Sequence, residues 1–224
     1  MATKISFPFV LLVGLFVAGL VVSNIIAVKL IMLGSIILPA AVIVFPITYI
    51  IGDVLTEVYG YRVARNVIWA GFAGNLLAAL AAYLGGLLPP APFWKGQEAY
   101  WQILGFTPRL LVASLIAYVM GQLSNSLTLI MLKHITKGKW MMPRFWASTV
   151  VGEAIDTAVF LMLAFTGVIP IGTLLTMIPI HASAKIAYEF AVSPISTAIA
   201  RLLKRVEGLD VIDAPSFLLR TQIG

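Results

Sequence analysis

The 224-residue chain has no cysteine. That excludes a disulfide framework, a thiolate metal site and a cysteine nucleophile. It is also poor in charge: 11% of residues are charged, against about 25% in an average soluble domain. Only nine residues are acidic and two are histidine. There is no Gly-rich phosphate loop ending in Lys-Ser/Thr, so the chain does not itself hydrolyse ATP. There is no HExxH and no cysteine–histidine cluster, so neither a metal nor another cofactor is expected. No GxSxG elbow is present. What the chain does have is apolar surface: 61% of residues are hydrophobic and the mean hydropathy is +1.02. In water such a chain exposes large adhesive patches. A soluble globular enzyme, a disordered segment and a nucleic-acid-binding module are therefore excluded.

A helix crosses a bilayer with about 20 apolar residues. Six stretches meet that requirement, at 8–32, 37–58, 66–88, 108–133, 145–168 and 180–203. The first is too long for a removable signal peptide and carries Asn24 and Lys29. The runs are too continuous for the alternating strands of a β-barrel. The expected fold is all-α: a polytopic membrane protein with six transmembrane helices. Residues 1–206 form a single transmembrane domain, and 207–224 a short cytoplasmic tail.

With both termini cytoplasmic, the inner segments hold Lys4, Arg62, Arg65, Lys133, Lys137, Lys139, Arg144, Arg201, Lys204, Arg205 and Arg220, and the outer loops hold Lys95 and Arg109. This asymmetry obeys the positive-inside rule. It accounts for the net charge of +6 as a topology signal, with no nucleic-acid partner implied. The outer stretch 88–108 has prolines at both ends and aromatics between, as an interfacial connector or a cap over a site requires. The stretch 168–179 reads as a tight turn and a short interfacial piece before the last helix.

Ala70, Gly74, Ala78, Ala82 and Gly86 recur every four residues and form a packing seam in the third span. The seam suits an internal contact or a homodimer contact. Asn75 lies beside it, placed to bond across to a neighbour. An internal echo links Ser23-Asn24 with Ser124-Asn125, and Gly52-Asp53 with Gly152-Glu153. Three spans separate the copies, so the repeat would be a 3+3 arrangement inverted across the membrane, as in many carriers.

Ionised groups at the bilayer centre cost about 2.5–3.5 kcal/mol each on insertion scales. Even so, Asp53, Glu57, Glu153, Asp156 and Glu189 lie in or near spans, with Lys29 and Lys185. Asp53 and Glu57 are four apart, Glu153 and Asp156 three apart, so each pair shares a helix face. Two carboxylates so close in a low dielectric do not both ionise easily, and such a pair can hold one proton. Asp53, Glu57, Glu153 and Asp156 are therefore the candidates for proton coupling. Glu57, near the inner interface, has Arg62 as an alternative ion-pair partner. Lys185 and Glu189 are four apart and suit an internal pair. Gln122 and Asn125 face one way and offer amide donors and acceptors. Asn24 has the same chemistry, serving either a ligand or helix contacts. Lys29 reads as snorkelling to the outer interface, and the lone His181 as structural.

The run FPITYIIGDVLTEVYG at 45–60 resembles the second-helix signature of the queuosine precursor transporter family, also called the vitamin uptake transporter-like family. Ser23-Asn24, Gly121-Gln122, Ala147-Ser-Thr with Gly152-Glu153 and Asp156-Thr157, and Lys185 agree with it. The chain departs from the family at Asn125, where several relatives carry an acid. The resemblance implies six helices and uptake of 7-deazaguanine bases that feed tRNA modification: 7-cyano- or 7-aminomethyl-7-deazaguanine, or queuine. A carboxylate can accept both adjacent N–H donors of such a base, and Asn, Gln or Lys can serve its carbonyl.

Asn24, Asp53, Gln122, Asn125, Glu153, Asp156 and Lys185 are the expected substrate-binding residues of a non-enzymatic carrier in the cell membrane. One alternative is a vitamin-binding subunit of an energy-coupling-factor transporter with a partner ATPase. Ranked below it is an intramembrane hydrolase built on Asp53 and Asp156.

Overall fold

The computed structural model describes residues 6–33, 36–105 and 108–212. Lys4, Arg220 and the tail beyond 212 lie outside the described residues. Helix α1 (Phe7–Ile26) starts where the Ser6 hydroxyl accepts the Phe9 N–H, with Pro8 in the first turn. It ends well before residue 32, so Lys29 lies beyond the helix, exposed. The chain then forms an antiparallel hairpin, β1 (Leu30–Leu33) with β2 (Ile36–Pro39), in register Leu30↔Pro39 and Leu33↔Ile36. The sequence here is LIML-Gly-Ser-IILP. Short apolar runs flanking a Gly-containing dipeptide are a hairpin signal, and in so apolar a chain they were submerged in the expected helices. The fold is thus helical with one small hairpin.

A 3-10 turn (Ala40–Ile43) leads into α2 (Phe45–Tyr59). At about 1.5 Å per residue α2 is near 22 Å long, short of the roughly 30 Å hydrocarbon core. It is the most enclosed helix, with Val54, Thr56, Glu57 and Val58 at 0–1% exposure. Gly60 (φ 85°) turns the chain in a single residue, a backbone conformation open to glycine, and α3 (Tyr61–Leu87) follows at once. Helix α4 (Gln97–Leu104) folds back on the end of α3: Gln97 Nε2 donates to the Gly86 carbonyl at 2.7 Å and Tyr100 Oη to that of Ala82 at 2.8 Å. The stretch carrying α4 is accordingly held to α3.

Helices α5 (Pro108–Ile135) and α6 (Met141–Phe165) pair along their lengths. Helix α7 runs unbroken from Ile171 to Glu207, through Pro179 and Pro194. The separate interfacial piece expected at 168–179 is therefore the first turns of α7. Pro194 lacks an N–H and frees the Phe190 carbonyl, which the Ser193 hydroxyl takes at 2.9 Å.

Five helices among the described residues are long and apolar enough to cross a membrane: α1, α3, α5 (from Val112), α6 and α7. The chain is an all-α polytopic membrane protein apart from the hairpin. The α3 packing face is shifted from the expected seam. Ala70 is exposed, whereas Gly71 and Asn75 are buried. A Cβ on Gly71 would stand 2.7 Å from Leu20 Cδ1, and one on Gly74 2.7 Å from Val17 Cγ1. The close approach of α3 to α1 therefore runs through Gly71, Gly74 and Asn75.

Candidate functional site

Asp53 projects from the enclosed α2 and is 5% exposed. Its Oδ1 accepts from Asn125 Nδ2 on α5 at 2.7 Å, and Asn125 is fully buried. One turn before Asn125, Gln122 is 1% exposed, and neither its Nε2 nor its Oε1 has a hydrogen-bond partner among the described residues. Its amide lies against Gly52, whose ideal Cβ would be 3.1 Å from Oε1. A buried amide without partners forfeits about 1–3 kcal/mol, so this position awaits a polar group.

Glycines set how closely α6 approaches these residues. A Cβ on Gly121 would lie 2.7 Å from Asp156 Cβ and 3.1 Å from the Gly152 carbonyl, and one on Gly152 2.7 Å from Asn125 Cβ. The two glycines meet face to face and bring Asn125 level with the acids of α6. Glu153 is fully buried, and Lys185 of α7 reaches it at 3.1 Å and Asp156 at 2.7 Å. The sequence offered Glu189 as the partner of Lys185; the ion pairs instead cross from α7 to α6.

Glu189 is 6% exposed, and its Oε1 has no hydrogen-bond partner among the described residues. It is in electrostatic contact with both Glu153 and Asp53. A small cavity of about 10 Å³ lies between α2, α6 and α7, lined by Tyr49, Asp53, Phe145, Thr149, Glu189 and Ser196 among others. That is room for about one water and far below the ~300–1,000 Å³ of ordinary ligand pockets, so a base-sized ligand requires these helices to move apart. Beside the cavity Trp146 stacks on Phe190 with centroids 5.1 Å apart, and its indole N–H donates to Ser193 Oγ at 2.6 Å.

The structure thus groups six expected site residues: Asp53, Gln122, Asn125, Glu153, Asp156 and Lys185. Asn24 is used elsewhere. Its Nδ2 donates to Asn75 Oδ1 at 2.9 Å and ties α1 to α3. Tyr49, Thr149, Glu189, Ser193 and Ser196 were missed as lining residues. A signal existed: Tyr49 is four residues before Asp53, Thr149 four before Glu153 and Ser193 four after Glu189, on shared helix faces.

Glu57, the other buried acid, belongs to a different network. Arg144 binds it bidentately at 2.7 and 3.0 Å, Lys204 at 2.6 Å, and Lys133 stands 3.6 Å away. The sequence had offered the neighbouring Arg62. Asp210 bridges the same lysines, at 2.7 Å from Lys133 and 2.9 Å from Lys204. Partial burial pulls the Asp210 carboxyl up, but hydrogen bonds and charge from the two lysines outweigh it and leave the group below its ordinary range.

Residues 39–199 match a family model described as "Putative vitamin uptake transporter". The chain belongs to that family. The segment shared with the vitamin uptake transporters begins at the end of β2 and runs into α7. It contains the whole acid and amide cluster, while Asn24, Lys204 and Asp210 fall outside it. A "Probable queuosine precursor transporter" of Bacillus subtilis (strain 168) is 32% identical over 156 residues, covering 69% of this chain and 66% of that protein. The "Queuosine precursor transporter" of Escherichia coli (strain K12) is 30% identical over 121 residues, 54% of this chain and 52% of that one. A relative in Haemophilus influenzae with the same description as the first is 29% identical, covering 54% and 49%. The chain spans about half to two thirds of the length of these curated relatives. No solved structure matches it.

Proposed function

We propose that this protein is a membrane carrier that imports a queuosine precursor, a 7-deazaguanine base, for tRNA modification. The observation that carries this reading is the buried cluster of acids and amides, with the Gln122 amide and a Glu189 oxygen left without partners. Family membership and the names of the three relatives point the same way. Asp53, held by Asn125, accepts the adjacent N–H donors of the base. Gln122 serves its carbonyl, and Tyr49 and Phe145 supply a flat wall. Glu153 and Asp156, bridged by Lys185, set the far side.

In this reading α2 is the sixth span, completed outside by the 3-10 turn and hairpin. Both termini lie in the cytoplasm, residues 1–206 form one domain and 207–224 a tail, and α1–α3 and α5–α7 are inverted halves. The close contact of Lys133, Arg144 and Lys204 at one end of the bundle supports that end as the cytoplasmic one. Asp53, Glu153 and Asp156 are the groups that couple uptake to protons. Uptake is then expected to rise as the external pH falls, and a flat profile removes the coupling. Gly71 and Gly74 of α3 are engaged with α1, which favours an internal contact over a homodimer contact at those two positions. Asp53 and Asp156 each have a partner of their own, which counts against the paired-aspartate hydrolase.

The test uses cells that neither make nor import queuosine precursors. Expression of the native chain should restore queuosine in their tRNA, whereas Asp53→Asn and Asp156→Asn should not, although both proteins reach the membrane. Normal restoration by both variants removes the site assignment. The family description also supports a second reading, a vitamin-binding subunit. Copurification of an ATPase and its membrane-coupling subunit from gentle detergent would favour it.

A further inference from the structure

The cavity and the helix faces beside it hold more acids than bases. Asp53, Glu153 and Glu189 are each at least nine-tenths buried, and Asp156 adjoins them. Against these four carboxyl groups the cluster holds, among the described residues, one lysine, Lys185, which reaches across to Glu153 and Asp156. Three other enclosed cations, Lys133, Arg144 and Lys204, are engaged by Glu57 and Asp210. Asp53 has a neutral amide as its partner. Glu189 lines the cavity with an oxygen that meets no donor among the described residues. A carboxylate so placed in a low dielectric is unfavourable until a positive group joins it.

We propose that Glu189 is a specificity-determining residue that receives an ammonium group on the ligand, so that the cavity selects a cationic planar base over a neutral one. This rests on the carrier reading above. Asp53 and Gln122 take the pairing edge common to all such bases, and Glu189, across the cavity on α7, takes the substituent that distinguishes them. Thr149 on α6, which also lines the cavity, interacts with the same Glu189 carboxyl group.

The matched probes are 7-aminomethyl-7-deazaguanine, cationic at neutral pH, and neutral 7-cyano-7-deazaguanine, titrated into the purified full-length protein. The native protein should bind the cationic base at least tenfold more tightly. Glu189→Gln should abolish that preference, weakening binding of the cationic base at least tenfold more than that of the neutral one. Glu189→Asp, which keeps the charge, should retain part of it. Equal native affinity for the two bases overturns the inference and leaves the carrier reading standing. A Glu189→Gln protein that keeps the preference, or loses both ligands alike, also overturns it. Failure of the native protein to bind either base overturns both together. If Glu189→Gln does not fold, the native preference and its reduction in Glu189→Asp decide the matter.

Discussion

Glu57 and Glu189 are both carboxylates enclosed in an apolar bundle, at 0% and 6% exposure. Glu57 is saturated: a bidentate arginine and a lysine bind its oxygens, and a second lysine stands close by. Glu189 faces other acids across a cavity, with an oxygen that no donor meets. Burial is common to both, so burial alone does not mark a binding group. A saturated charge holds helices together. An under-compensated one holds space for something that arrives from outside. The Glu57 network joins α2, the end of α5, the start of α6, the end of α7 and the segment beyond it, where Val211 N–H also donates to the Val58 carbonyl at 3.3 Å. It closes one end of the bundle.

If that contrast is right, substitutions at the two centres should separate stability from transport. The largest effect is expected for Glu57→Ala, which leaves Arg144 buried without the carboxylate that binds it and Lys133 and Lys204 with Asp210 alone. A loss of about 3–5 kcal/mol should appear as a much lower melting temperature in detergent and poor recovery from the membrane. Asp53→Asn should do the reverse. Loss of a charged ligand contact of about 2 kcal/mol or more lowers uptake at least ~30-fold, while the melting temperature stays near that of the native protein. A matching collapse in melting temperature would erase the distinction between the two centres.

Gly152→Ala lies between them. Its Cβ would stand 2.7 Å from Asn125 Cβ, and overpacking of about 1–3 kcal/mol should depress both melting temperature and uptake. Tyr100→Phe removes one hydrogen bond of α4 to α3, about 1 kcal/mol. It should loosen the connector to proteolysis and leave uptake intact, since α4 packs on α3 away from the acids. The smallest effect concerns Asp210. Its folded-state pKa is depressed, so its stabilising contribution is present above the ordinary aspartate value and fades as pH falls through the folded one. Asp210→Asn should flatten the acid limb of a melting-temperature profile slightly, with neutral-pH uptake unchanged.

The long apolar helices were legible because bilayer thickness fixes their length, and the sequence places α1, α3, α5 and α6 at nearly their observed positions. The hairpin and the early start of α7 were not. Apolar composition hides a strand inside an apparent span-length apolar run, and Pro179 reads as a helix end although α7 continues through it. At the site, Asp53, Gln122, Asn125, Glu153, Asp156 and Lys185 stood out because polar groups are rare in so apolar a chain. Pairings were harder. Near neighbours in sequence suggested Glu57 with Arg62 and Lys185 with Glu189, whereas Arg144 lies 87 residues from Glu57 and Asp156 lies 29 from Lys185.

Composition by itself determined that this chain lives in a bilayer, which ends carry its basic residues, and which few polar side chains lie within its helices. Those follow from the cost of exposing apolar surface to water and charge to lipid, and both are properties of local sequence. Which acids are neutralised and which remain open was decided only by tertiary packing. The meeting of Gly121 with Gly152, and the crossing of α7 over α6, set distances of a few ångströms between residues far apart in the chain. Electrostatic energy in a low dielectric depends on those distances.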